Sequence, residues 1–157
     1  MTAYLVGGLR LLGTSAAAYF TSPLLLAIAL VPAALRSFQM HSRNETGWLE
    51  LPVEISRVVL ITAMIALGRG WKLSSLADGN EWRQVGDDIA AAFRTEWFAI
   101  AVRMTVVTLL VLAFNAAVDS SARALLSEPD AAIFAVKNFV VIPLFLMVIL
   151  RSLHAVD

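Results

Sequence analysis

Of the 157 residues, 59% are hydrophobic and 15% charged, against about 45–50% and about 25% in ordinary soluble domains, which excludes a disordered chain and points to the bilayer. The 12 basic and 12 acidic side chains cancel, so no excess positive charge is available to displace counterions, which argues against nucleic acid as a partner. Cysteine is absent, excluding disulfides, thiolate nucleophiles and Cys-ligated zinc or iron–sulfur centres.

A hydrocarbon core of about 30 Å calls for about 20 mostly apolar residues at the helical rise. The first stretch to meet it, 11–35, lies uncharged between Arg10 and Arg36. Its Pro23 and Pro32 each remove a backbone donor and favour kinks, with Thr21 and Ser22 placed to satisfy freed carbonyls. The second, 52–71, spans only if Arg57 and Arg69 snorkel. Thr62, Ala66 and Gly70, four apart, form a candidate packing seam of small residues.

Between the second and third spans, Trp82, Val85, Ile89, Phe93 and Trp97 recur at helical spacing, with Glu81, Arg83, Asp87, Asp88 and Arg94 on other faces. This pattern predicts an amphipathic interfacial helix over 80–95, opened by Asp78-Gly79-Asn80-Glu81 as a capping box and running into the third span. The third span, 97–118, carries Arg103 with Glu96 two turns earlier on about the same face. The fourth, 131–150, is interrupted by Lys137 and opened by Ser127-Glu128-Pro129-Asp130, with Ser127 as cap. The expected fold is therefore all-α: one transmembrane domain over 1–157, an integral membrane four-helix bundle with an additional interfacial helix.

Four spans place both termini and the segment 69–96 on one side, with Arg10, Arg69, Lys72, Arg83, Arg94 and Arg151. The opposite side carries Arg36, Arg43, Arg57 and Arg123. The positive-inside rule then favours cytoplasmic termini, in a plasma or inner membrane. Trp71, Trp82, Trp97 and Arg103 fall near boundaries as interfacial anchors, and Met1–Leu9 lacks the basic residues of a signal peptide.

No cofactor or metal is expected. His41 and His154 fall at opposite ends of the spans, so one chain cannot supply both axial ligands of a haem. No His-Glu-x-x-His, Gly-x-Ser-x-Gly or phosphate loop is present, and no catalytic residue stands out. Asn44-Glu45-Thr46 fits the N-glycosylation pattern, which matters only in a secretory pathway.

What stands out is polarity inside the spans, where a charge costs about 2.5–3.5 kcal/mol at the helix centre on insertion scales. Glu54 and Arg57 open the second span, Asn115 and Asp119 close the third, and Lys137 and Asn138 lie early in the fourth. These six residues are expected at similar depth on one side, with cancelling charges. They suit a structural network or a vestibule for a small ionic solute; the network is favoured, because Glu54 and Arg57 can pair at i,i+3 and Lys137 can snorkel.

The leading expectation is a non-catalytic accessory, stabilising or regulatory subunit of a larger membrane complex. Its partners would be the lipid bilayer and other membrane subunits or copies of itself. A homo-oligomeric transporter or channel using the polar cluster is the alternative, and a lipid-modifying enzyme comes third.

Overall fold

The computed structural model describes residues 2–42, 47–126 and 129–156. Ser127, read as a helix cap, and Asn44-Glu45-Thr46 lie outside the described residues, as does the side chain of His41. The architecture is all-α, with five helices among the described residues: α1 (Thr2–Phe20), α2 (Pro23–Ser42), α3 (Glu50–Gly68), α4 (Gly79–Leu125) and α5 (Pro129–Ser152). Helices α3, α4 and α5 are long and apolar enough to cross a membrane, and α1 with α2 adds a fourth candidate as a broken span.

The stretch expected as one first span is divided. Between α1 and α2 the axis turns by 89°. Proline disfavours helical geometry at the residue before it, while its own fixed φ suits the first helical position. Ser22 accordingly leaves the helix and caps the next one, its Oγ accepting from the Leu25 amide at 3.4 Å. On the other side of the break, Thr21 donates both its amide (3.0 Å) and its hydroxyl (2.7 Å) to the Ala17 carbonyl. Pro32, by contrast, sits inside α2 without ending it.

A second proline shapes α5. Pro143 has no N–H to return to the carbonyl of Phe139 four residues earlier. The helix widens into a π turn over Lys137–Val141, in which the Ile142 amide bonds the Lys137 carbonyl. The carbonyl of Phe139 instead accepts the hydroxyl of Tyr19 from α1 at 2.5 Å, with Tyr19 fully buried.

Helix α4 starts at Asp78, whose side chain accepts from the Asn80 amide at 2.9 Å as an N-cap does. It runs through the expected amphipathic segment into the third span, bending at Glu96 (φ −126°, ψ 15°). Just before the bend Thr95 bonds back to the Ala91 carbonyl at 2.9 Å, a contact that tends to bend helices. Trp82, Val85 and Ile89 pack on the core, whereas Phe93 and Trp97 are exposed. Each four-residue step overshoots a full turn by about 40° at 3.6 residues per turn, so the stripe rotates off the packed side. Burial continues instead through Val85, Ala92, Ile100 and Val107.

Helix α5 lies at the centre, in contact with α1, α2, α3 and α4. Its first half and π turn meet α2, and its second half meets α1. Small residues permit the closest approaches. A Cβ on Gly8 would come within 3.3 Å of Val106 in α4, and one on Gly68 would overlap Val156. The expected seam on α3 is placed differently: Val53, Ser56, Leu60 and Met64 are its buried line, while Thr62 and Ala66 are half-buried. Gly70 lies beyond the end of the helix, exposed, with φ +63°.

The ends of α3 and α5 close in the same way. The amides of Gly70 and Trp71 bond the carbonyls of Leu67 and Ala66; those of His154 and Ala155 bond the carbonyls of Arg151 and Leu150. Both are Schellman motifs, which need a left-handed residue after the cap. Gly70 fills that place in α3, and His154, at φ 56°, fills it in α5.

Candidate functional site

The polar residues expected at one depth come together at the end of the bundle where α3 begins and α4 finishes. They form two bonded groups on either side of the π turn. Toward α3, Arg57 sits 2.6 Å from Glu54 Oε1 and reaches Asn138 Oδ1 at 3.3 Å. Asn138 is buried and donates its Nδ2 to the Phe134 carbonyl at 2.9 Å. Toward α4, Lys137 Nζ lies 2.8 Å and 3.1 Å from the two carboxylate oxygens of Asp119. Adjacent residues on a helix point about 100° apart, so Lys137 and Asn138 serve different neighbours.

Asn115 joins neither group. Its Oδ1 is buried and without a hydrogen-bond partner among the described residues. Arg36, which lies outside the expected cluster, extends it onto α2. Its guanidinium is 3.6 Å from Glu50 and 4.0 Å from Glu54, and it donates to Gln39 at 2.9 Å. The four-residue window used for reading pairs within a helix carries no signal for this contact between helices.

A second polar layer, not anticipated as a unit, forms at the opposite end. Arg69, the C-cap of α3, donates from Nε to the Ala155 carbonyl at 2.8 Å and from one Nη to the His154 carbonyl at 3.2 Å. The same Nη meets Asp88 of α4 at 2.5 Å. Beside it, Glu96 faces Arg103 at 3.4 Å, the pair read from sequence spacing, and His154 Nε2 at 3.7 Å. Two of the Arg69 acceptors are backbone carbonyls, which no residue identity announces.

The anchors expected at the interface gather near this layer. Trp71 and Trp82 meet edge to face with centroids 5.0 Å apart. Trp82 donates its Nε1–H to the Leu76 carbonyl at 2.9 Å, and the exposed Trp97 packs edge to face on Phe98. A cleft of about 740 Å³ opens here, lined by residues including Arg69, Lys72, Glu81 and Asp88.

Chemically, the Lys137 layer holds charge in fixed opposite pairs and the Arg69 layer ties three chain segments together. Among the described residues no group of three or more His, Asp or Glu converges as a metal site would require. Compared with known family models, curated proteins and solved structures, the chain shows no match.

Proposed function

We propose that the chain is a small, non-catalytic integral membrane subunit that packs against and stabilises or regulates a larger membrane complex. The observation that carries this reading is how the internal charge is used. Glu54 is bonded to Arg57, and Asp119 to Lys137, within the chain itself. Paired in this way, the groups avoid the cost of isolated charges in a medium of low dielectric, and Lys137–Asp119 with Arg57–Asn138 ties α5 to α4 and α3.

The surface that the second half of α4 leaves for other molecules is apolar. Only 11% of the most apolar stretch of α4 is buried, and Leu109, Leu112 and Phe114 lie on its exposed sides. In this reading the broken pair α1–α2, α3, the second half of α4 and α5 cross the bilayer. The first half of α4 lies along the interface, with Trp71, Trp82 and Trp97 at headgroup depth and Arg103 as an anchor.

The test is purification of the tagged full chain from its native membrane in mild detergent, with mass spectrometry of what accompanies it. A stoichiometric membrane partner, lost in Leu109→Asn with Leu112→Asn and retained in the exposed α3 variant Val58→Asn, is the expected result. A homo-oligomer that conducts ions in proteoliposomes would overturn it. That outcome would favour the second reading, a transporter, for which the unpartnered Asn115 carbonyl beside the paired charges is the supporting observation.

A further inference from the structure

The cleft beside the Arg69 layer holds more charge than its walls use. Among its lining residues Arg69 and Asp88 bond each other, and the Ala155 and His154 carbonyls take further donors of Arg69. Two charges remain. Lys72, just before the short turn 73–77, is exposed, and Glu81, in the first turn of α4, is half-buried. Neither makes an ion pair or a side-chain hydrogen bond among the described residues, although both line one space of about 740 Å³.

Opposite charges that face one cavity without meeting select its occupant. A simple anion would be drawn to Lys72 and repelled by Glu81, and a simple cation would meet the reverse. An apolar solute would strip water from both. A zwitterion answers both charges at once. Arg69 and Lys72 against Asp88 and Glu81 sum to zero formal charge, so an occupant without net charge leaves the balance intact.

The cationic end is narrowed further. Glu81 and Gln84, three residues apart on α4, both line the cleft and both offer oxygen acceptors. A primary ammonium brings three N–H donors to them. A quaternary ammonium brings none and is held by aromatic faces, of which the cleft has Trp71 alone.

The neighbour of Lys72 bears on the source. Leu73 is 89% exposed at the rim that carries Trp71 and Trp82. Its side chain gains from contact with acyl chains, which a lipid held in the cleft by its head would bring.

We infer that this cleft binds the headgroup of a lipid of the phosphatidylethanolamine class, with the phosphate toward Lys72 and the primary ammonium toward Glu81 and Gln84. The inference rests on the interfacial placement of the first half of α4 proposed above, and is independent of whether the chain serves a larger complex.

The experiment reconstitutes the full chain in phosphatidylcholine vesicles doped with one of three probes, phosphatidylethanolamine, phosphatidylcholine or phosphatidylglycerol, each with a diazirine at the glycerol end of one acyl chain. Irradiation is followed by peptide mapping, in which the exposed Leu109 and Leu112 of α4 report contact with any bilayer lipid. The phosphatidylethanolamine probe should label 72–84 about fivefold above the phosphatidylcholine probe, the effect of one partly exposed ion pair. Glu81→Gln should bring that ratio to one, and Lys72→Gln should lower labelling of 72–84 by all three probes, since each carries a phosphate. Arg83→Gln, which alters an exposed charge outside the cleft, should keep the ratio.

Equal labelling of 72–84 by the phosphatidylethanolamine and phosphatidylcholine probes would overturn the ammonium contact on the unaltered chain, whether or not the variants fold. Preference for phosphatidylglycerol would overturn the zwitterion. Displacement of the label by a molar excess of soluble glycerophosphoethanolamine would overturn the lipid in favour of a free solute. Labelling of Leu109 and Leu112 without 72–84 would overturn the site alone, and labelling of neither would overturn the membrane placement with it.

Discussion

Tyr19 and Phe139, 120 residues apart in sequence, share a hydrogen bond that repairs the ladder of α5 where Pro143 interrupts it. A fully buried phenol on one helix thereby supplies the donor that a proline on another withholds. Tyr19→Phe should leave the Phe139 carbonyl without its donor and lower stability by about 1–3 kcal/mol. Pro143→Ala, which restores an amide, should reduce that loss when the two are combined. Thermal unfolding of the four proteins in one detergent measures the coupling; additive losses would show that the Tyr19 hydroxyl contributes independently of the break at Pro143.

The Asp119–Lys137 pair makes a more selective claim than depth alone allowed. Lys137→Met should destabilise by about 1–3 kcal/mol, because Asp119 loses its counter-charge in a partly buried setting. Asp119→Asn added to it should recover most of the loss, whereas Glu54→Gln should recover none, since Glu54 is bonded to Arg57. Rescue by Glu54→Gln in unfolding assays would mean the lysine has the wrong partner here.

Arg69 meets three acceptors with one planar fork, a geometry that lysine does not reproduce. Arg69→Lys should therefore behave like Arg69→Met. Hydrogen exchange at 153–156 should rise in both, by a factor of about ten or more, as expected from losing charged hydrogen bonds worth about 1.5–3 kcal/mol. Protection unchanged in Arg69→Lys would reduce the contact to one of charge.

The two Schellman ends respond to opposite substitutions. His154 holds a left-handed backbone that costs an L-residue about 1–2 kcal/mol, so His154→Gly should raise the unfolding midpoint. Gly70→Ala should lower it by a similar amount, although open space surrounds its Cβ position.

The topology can be read with single cysteines in the naturally cysteine-free chain. Cysteines replacing Ser74 and Ser121, both exposed, should react with an impermeant thiol reagent from opposite sides of the membrane. Reaction of both from one side would remove the second half of α4 from the list of spans.

Much of the architecture was legible because the signals were local. Asp78 before a polar first turn marked the start of α4, and mostly apolar runs marked α3 and α5. The break between α1 and α2 was equally available, since Ser22-Pro23 is a cap followed by a first-turn proline; an uninterrupted apolar run concealed it. Depth counting brought five of the six polar residues into bonded groups, but could not decide that Lys137 turns to Asp119 while Asn138 turns to Arg57. That choice depends on the π turn, whose cause lies in Pro143 and whose repair lies on α1. The Arg69 layer was hidden for a different reason: its acceptors are carbonyls, which every residue possesses.

Because the arginines of α3 are held by partners within the protein, they are not free to stretch toward distant headgroups. By the helical rise Arg57 and Arg69 are about 18 Å apart, and Lys137 and Arg151 of α5 about 21 Å, against about 30 Å of hydrocarbon in an average bilayer. A short apolar girdle fastened at both rims creates hydrophobic mismatch, which a membrane relieves by thinning around the protein at a fraction of a kcal/mol per Å. In the proposed membrane placement, the same contacts that fix the helices would also set the membrane thickness in which the protein rests most easily, favouring thinner bilayers.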